Sequence, residues 1–401
     1  MQAIDRSRSR SRDGSALCRK FVSNSIPQIR LAALYFAFFA YVGGYSPYVT
    51  LYFQSIGQSA QAIGILLAIS QAIRVFSPPI WAWLADRTGA RLQLLQVALV
   101  LSALCFAGFF FTTSFAGLAF VLLVQSFCAG GVNPLAETIT FAALRDAVAK
   151  YGSIRLWGSV GFIAAVLGVG YQLDHAPPSA MLWSVLAMLI AAVLVSWTLP
   201  VTAVPAHVKG ERVRSVLRRP AVIALFTACF LMSMAHGPLY AFYTIHLAEH
   251  GYAKSSIGWL WSLGVIAEIV VFWMMPRWLH ASTLGPVLIA TFVCAVVRFA
   301  LVGWFPKVVV AQLIGQILHG ATFGAYHVCS IALVNRWFGE AGRARGQALY
   351  ASISFGAGGM IGSAASGWLW ESVGPAMMFS IASGVAAVGL IPLLRHRKML
   401  H

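Results

Sequence analysis

The chain has 401 residues, 59% of them hydrophobic and 10% charged, with a formal net charge of +17. A soluble domain carries about 25% charged residues, so this composition excludes a soluble protein and indicates a polytopic membrane protein. The six Cys residues follow no metal or disulfide spacing. No nucleophile–base constellation and no Gly-rich phosphate loop is visible, so an enzyme is not expected, nor any metal or other cofactor.

In chain order, residues 1–29 form an Arg/Ser-rich tail containing RSRSRSR, with no apolar stretch of signal-peptide type before Ile29. Such a segment is too polar to pack, and a solvated or lipid-headgroup role is favoured over nucleic acid. Twelve apolar stretches follow, at 30–53, 61–84, 92–112, 115–143, 152–173, 179–199, 221–246, 255–276, 284–304, 308–334, 346–369 and 374–394. Each is long enough to cross about 30 Å of hydrocarbon as a helix. The basic stretch 200–220 divides them into six-helix halves, 30–199 and 221–394, and residues 395–401 form a second short tail. Of the 28 Lys and Arg, 23 lie on the side of the two termini. The positive-inside rule therefore predicts cytoplasmic termini, in a multi-pass protein of the cell inner membrane.

The two halves read as repeats. Ile63-Gly64 is followed by Arg74, and Ile257-Gly258 by Glu268, at a constant offset of 194 residues. The same offset relates Gly43, in Gly43-Gly44-Tyr45-Ser46-Pro47, to Gly237, in His236-Gly237-Pro238. An ionisable group at mid-span costs roughly 2.5–3.5 kcal/mol on insertion scales and by default marks a site. Five such groups stand out: Arg74, Glu137, Arg155, Glu268 and Arg298. Glu137 and Arg155 are centred on a turn at Asp146, so antiparallel helices bring them to one depth, where they can pair. His319 follows in the tenth span and His327 eight residues later. Gly358, Gly362 and Ser366, at spacing four, read as a close helix contact.

Three stretches carry family resemblances. Trp83-Leu84-Ala85-Asp86-Arg87-Thr88-Gly89-Ala90-Arg91 resembles the loop between the second and third helices of the major facilitator superfamily. It fits at Asp86, Arg87, Gly89 and Arg91, and departs at Ala82, Ala90 and Leu92. The resemblance implies an all-α fold of two pseudo-symmetric six-helix halves, and an acidic residue that ties the loop to neighbouring helix ends. YGSIRLWGSVGF (151–162) resembles the fifth helix of lactose-type oligosaccharide:proton symporters. It implies that Glu137 and Arg155 contact substrate and that Phe162 stacks on it. Arg298 and His319 match the ninth and tenth helices of those symporters, but Thr322 stands where they carry a proton-bearing Glu. Glu268 must then take the proton, with His319 or His327. Over residues 30–394 the chain resembles the 3-phenylpropionate permease-like branch, which implies proton-coupled uptake of an aromatic carboxylate.

Charge bookkeeping gives a related expectation. With Glu137 on Arg155, and Glu268 on Arg74 or Arg298, one guanidinium is left for a substrate carboxylate. The candidate site is thus Tyr45, Arg74, Glu137, Arg155, Phe162, His236 and Arg298 for substrate, with Glu268, His319 and His327 for protons. A monomer in the lipid bilayer, exchanging a small molecule and protons and binding no nucleic acid, is expected. Nucleoside, oligosaccharide or drug-efflux carriage of the same fold is the alternative, and a transport-fold sensor the alternative from another class.

Overall fold

In the computed structural model every apolar stretch is helical, because in lipid each backbone N–H and C=O must be satisfied within its own segment. The structure describes residues 28–144, 147, 150–200, 214–281 and 284–399. Most of the basic tail, the turn at Asp146 and most of the central loop lie outside the described residues.

The passes are α1 Gln28–Ser55, α2 Ala60–Thr88, α3 Arg91–Phe110, α4 Phe115–Leu144, α5 Tyr151–His175 and α6 Pro178–Ser196. The second half follows with α7 Pro220–Glu249, α8 Lys254–Met275, α9 Leu284–Trp304 and α10 Val309–Glu340. After a break at Gly339 (φ +64°) come α11, residues 341–373, and α12, Pro375–Arg395. Among the described residues eleven helices are long and apolar enough to cross a membrane. The other pass is α11, whose Gly and Ser content lowers its hydropathy.

The halves meet along two equivalent seams, α2 against α11 and α5 against α8. Glycine sets how closely the backbones approach. A Cβ on Gly64 would collide with the backbone of Ser363 and Gly367, and one on Gly258 would crowd the Tyr48 hydroxyl and the Val166 carbonyl.

The repeated Gly43 and Gly237 serve packing too. A Cβ on Gly43 would strike the Phe162 carbonyl of α5, and one on Gly237 the backbone of Gly362 in α11. Both helices break beside these glycines, α1 at Ser46–Tyr48 and α7 at His236. Gly358 and Gly362 abut the carbonyls of Phe230 and Met234 on α7, the close contact their spacing predicts.

Candidate functional site

The second half supplies a dense polar cluster. Arg298 of α9 is fully buried. Its Nε donates to the Gly315 carbonyl at 2.8 Å, and its Nη1 donates to Thr322 Oγ1 at 3.0 Å and to His236 Nε2 at 3.3 Å. Its Nη2 has no partner among the described residues. His236 Nδ1 lies 2.8 Å from the Met232 carbonyl. A carbonyl only accepts, so Nδ1 carries the proton and Nε2 offers its lone pair to the guanidinium. The ring is therefore neutral and acts as an acceptor. Thr322 holds the position at which the symporter resemblance has a Glu, and here it is a neutral acceptor for Arg298.

Glu268 comes up against α10. Gly264 and Gly320 leave room for α8 and α10 to touch, since a Cβ on Gly264 would crowd Gln316 and His319, and one on Gly320 the Ala267 carbonyl. Glu268 Oε1 then lies 3.7 Å from His319 Nε2, within ion-pair distance but too long for a hydrogen bond. The carboxyl is also within electrostatic reach of Arg298 and, across the seam, of Arg155. Arg74, the alternative partner for Glu268, is not among these neighbours. A π-helical segment, Gly320–Ala325, stacks His319 on Phe323 and Phe323 on His327, with centroids 5.5 and 6.2 Å apart. His327 Nδ1 is 3.1 Å from the Tyr350 hydroxyl. It sits one aromatic ring beyond His319, and no contact joins it to Glu268 among the described residues.

The first half handles its charges differently. The expected Glu137–Arg155 ion pair does not form among the described residues. Glu137 Oε1 accepts from the Tyr151 hydroxyl at 3.1 Å and from Asn133 Nδ2 at 3.4 Å. The Arg155 guanidinium lies 3.9 Å from the Phe39 ring centroid and 5.7 Å from that of Tyr35. Spacing about the turn sets depth but not helix rotation: α1 presents its aromatic face to Arg155, and the quadrupole of that face attracts the cation. Phe162 is half-buried, with its main chain against Gly43.

Arg74 has no hydrogen bond or ion pair among the described residues. It is within electrostatic reach of Tyr41 and Tyr45 on α1 and of Tyr240 on α7. Tyr41 and Tyr45 stack with centroids 5.8 Å apart. Gln125 Nε2 donates to the Tyr41 hydroxyl; the buried Tyr45 hydroxyl has no partner among the described residues.

Tyr240 of α7 joins the cluster, although the sequence alone does not mark it. It stacks between His236 and Trp261, at 5.9 and 6.2 Å, and senses Glu268, Arg298 and Arg74 together. Its spacing of four from His236, on one face of α7, was the available signal.

Asp86 Oδ1 accepts from Arg91 Nη2 at 3.0 Å, bracing the end of α2 against the start of α3. Gly89 caps α2 at φ +68°, a backbone conformation suited to Gly. The Arg87 guanidinium lies 5.4 Å from the Trp83 ring centroid.

Among the described residues, twelve passes in two related halves bring ionisable groups of both halves within electrostatic reach, an arrangement suited to a secondary transporter. The chain belongs to the MFS_1 like family of the major facilitator superfamily, which it matches over residues 28–381. It is 26% identical over 362 residues to the "Probable 3-phenylpropionic acid transporter" of Escherichia coli (strain K12), covering 88% of this chain and 93% of that protein. It is 23% identical over 354 residues to the "Nucleoside permease NupG" of the same strain, covering 81% and 82%. The crystal structure of the nucleoside transporter NupG superposes with a TM-score of 0.80 at 19% identity, over 92% of this chain and 99% of that one.

Proposed function

We propose that this chain is a proton-coupled carrier of a small aromatic carboxylate, of the 3-phenylpropionate type, working by alternating access. One observation carries the reading. Arg298 has Nε and Nη1 on neutral acceptors and Glu268 in reach, whereas Arg74 has no anionic partner among the described residues. Arg74 is exposed within the apolar span α2, where a charge without an anion is costly, and its planar fork suits a carboxylate. Tyr45 and Tyr240, one from each half, have Arg74 within electrostatic reach, and their hydroxyls can donate to an anion held there.

Glu268 is the proton carrier in this reading. Ionised, it repels an anion on Arg74, the two charges sharing Tyr240 as a common electrostatic neighbour. Protonated, it loses that repulsion and the anion binds more tightly. By linkage the bound anion raises proton affinity by the same factor. His319, beside Glu268, is the group through which the proton reaches it. Both termini are cytoplasmic in this reading, from the basic-residue asymmetry, and the membrane is the cell inner membrane.

A nucleoside is the second reading. Its support is the relative with that printed role and the buried Gln316 side chain, whose oxygen and nitrogen both lack partners among the described residues. The deciding experiment is thermal stabilisation of the purified protein by aromatic acids, nucleosides and sugars. Stabilisation by 3-phenylpropionate that disappears in Arg74→Gln supports the first reading. Stabilisation by nucleosides alone, unchanged in Arg74→Gln, overturns it.

A further inference from the structure

Two carboxylates outside the site join the halves at the end of the bundle away from the chain termini. Asp174, at the end of α5, accepts from the backbone N–H of Lys254 at 2.6 Å and of Ser255 at 3.2 Å, the first residues of α8. Glu371, at the end of α11, accepts from the N–H of Ala60 at 3.0 Å, the first residue of α2. The first N–H groups of a helix have no partner within it, and the helix dipole favours an anion there.

The two contacts are copies of one another. Ala60 and Lys254 are related by the 194-residue offset, as are Gly64 and Gly258 four residues further on. Asp174 and Glu371 each follow a glycine by four residues, Gly170 and Gly367, and both pairs obey an offset of 197. A Cβ on Gly170 would crowd the Lys254 carbonyl, and one on Gly367 the Ala60 carbonyl. In each seam, then, a glycine brings the helices together and the acid one turn later captures the freed N-terminus of the helix opposite. The donor helix always belongs to one half and the acid to the other.

The structure assigns Asp174 and Glu371 as paired gate residues of the transport cycle, holding that end closed by capping α8 and α2. Opening toward that side must break both caps at once, whatever the substrate. Asp174 is half-buried and Glu371 exposed, and water competes more strongly at an exposed acceptor. Asp174 is therefore the stronger cap.

The test places spin labels at Thr113→Cys and Lys307→Cys, both exposed on that face, in a cysteine-free background, and reads the distance distribution. Losing a helix cap shifts an equilibrium about fivefold. Asp174→Ala is expected to raise the long-distance population about that much, Glu371→Ala less, and the double variant more than either. Asp174→Asn, which keeps an acceptor oxygen without charge, falls between wild type and Asp174→Ala, and is the variant to read if the alanine protein does not fold. Distance distributions unchanged in folded variants would overturn the proposal. The readout needs no substrate, so failure of the carboxylate reading would leave it standing.

Discussion

The two halves carry guanidiniums in opposite ways. In the second half Arg298 is enclosed by a carbonyl, a threonine and a neutral histidine. In the first half Arg155 lies on a phenylalanine face, and Tyr41, Tyr45 and Tyr240 have Arg74 within electrostatic reach. A charge whose donors are mostly taken up by the protein serves structure and field; a charge held without an acceptor awaits one. The repeat thus supplies one scaffold twice, and in the proposed function the substitutions within it divide the work: Arg74 would read the anion where its counterpart Glu268 would carry the proton.

The largest effect that would sharpen this contrast is on stability. Arg298→Met leaves His236 Nε2 and Thr322 without their donor, and about 3 kcal/mol of destabilisation is expected, read by thermal unfolding in detergent. Arg74→Gln should behave inversely, losing about 100-fold in aromatic-acid affinity, the value of charge-assisted hydrogen bonds, with stability changed by less than about 0.5 kcal/mol. Equal destabilisation by both would break the comparison. Phe39→Leu removes the ring under Arg155, and a double-mutant cycle with Arg155→Gln should give a coupling of about 1 kcal/mol. Asp86→Asn loses a solvent-facing ion pair, worth below about 1 kcal/mol in the same unfolding assay.

Much of this was legible in the chain, for physical reasons. Spans declare themselves because lipid demands about 20 apolar residues per crossing. Glu268 stands out because a lone carboxylate at that depth is costly, and its offset from Arg74 revealed the repeat. Contact of Glu268 with His319 was within reach of the sequence, since small residues on α8 and α10 mark a close approach. The partners of Arg155 were not. Spacing about a turn fixes depth along a helix but not rotation about its axis, so Phe39 on α1 could not be distinguished from Glu137 on α4. The acceptors of Arg298 depend on which helices lie beside α9, a tertiary property. Asp174 and Glu371 were available as a repeated glycine-to-acid spacing of four, visible only once the seams show what the acids face.

In the proposed function Glu268 exchanges a proton while Arg74 holds the transported anion. The most direct test of this is uptake of labelled 3-phenylpropionate into vesicles under an imposed pH gradient, acid outside, in wild type and Glu268→Gln. Gradient-stimulated uptake in the wild type alone, with substrate exchange retained by the variant, is the predicted result. Undiminished stimulation in Glu268→Gln would contradict it.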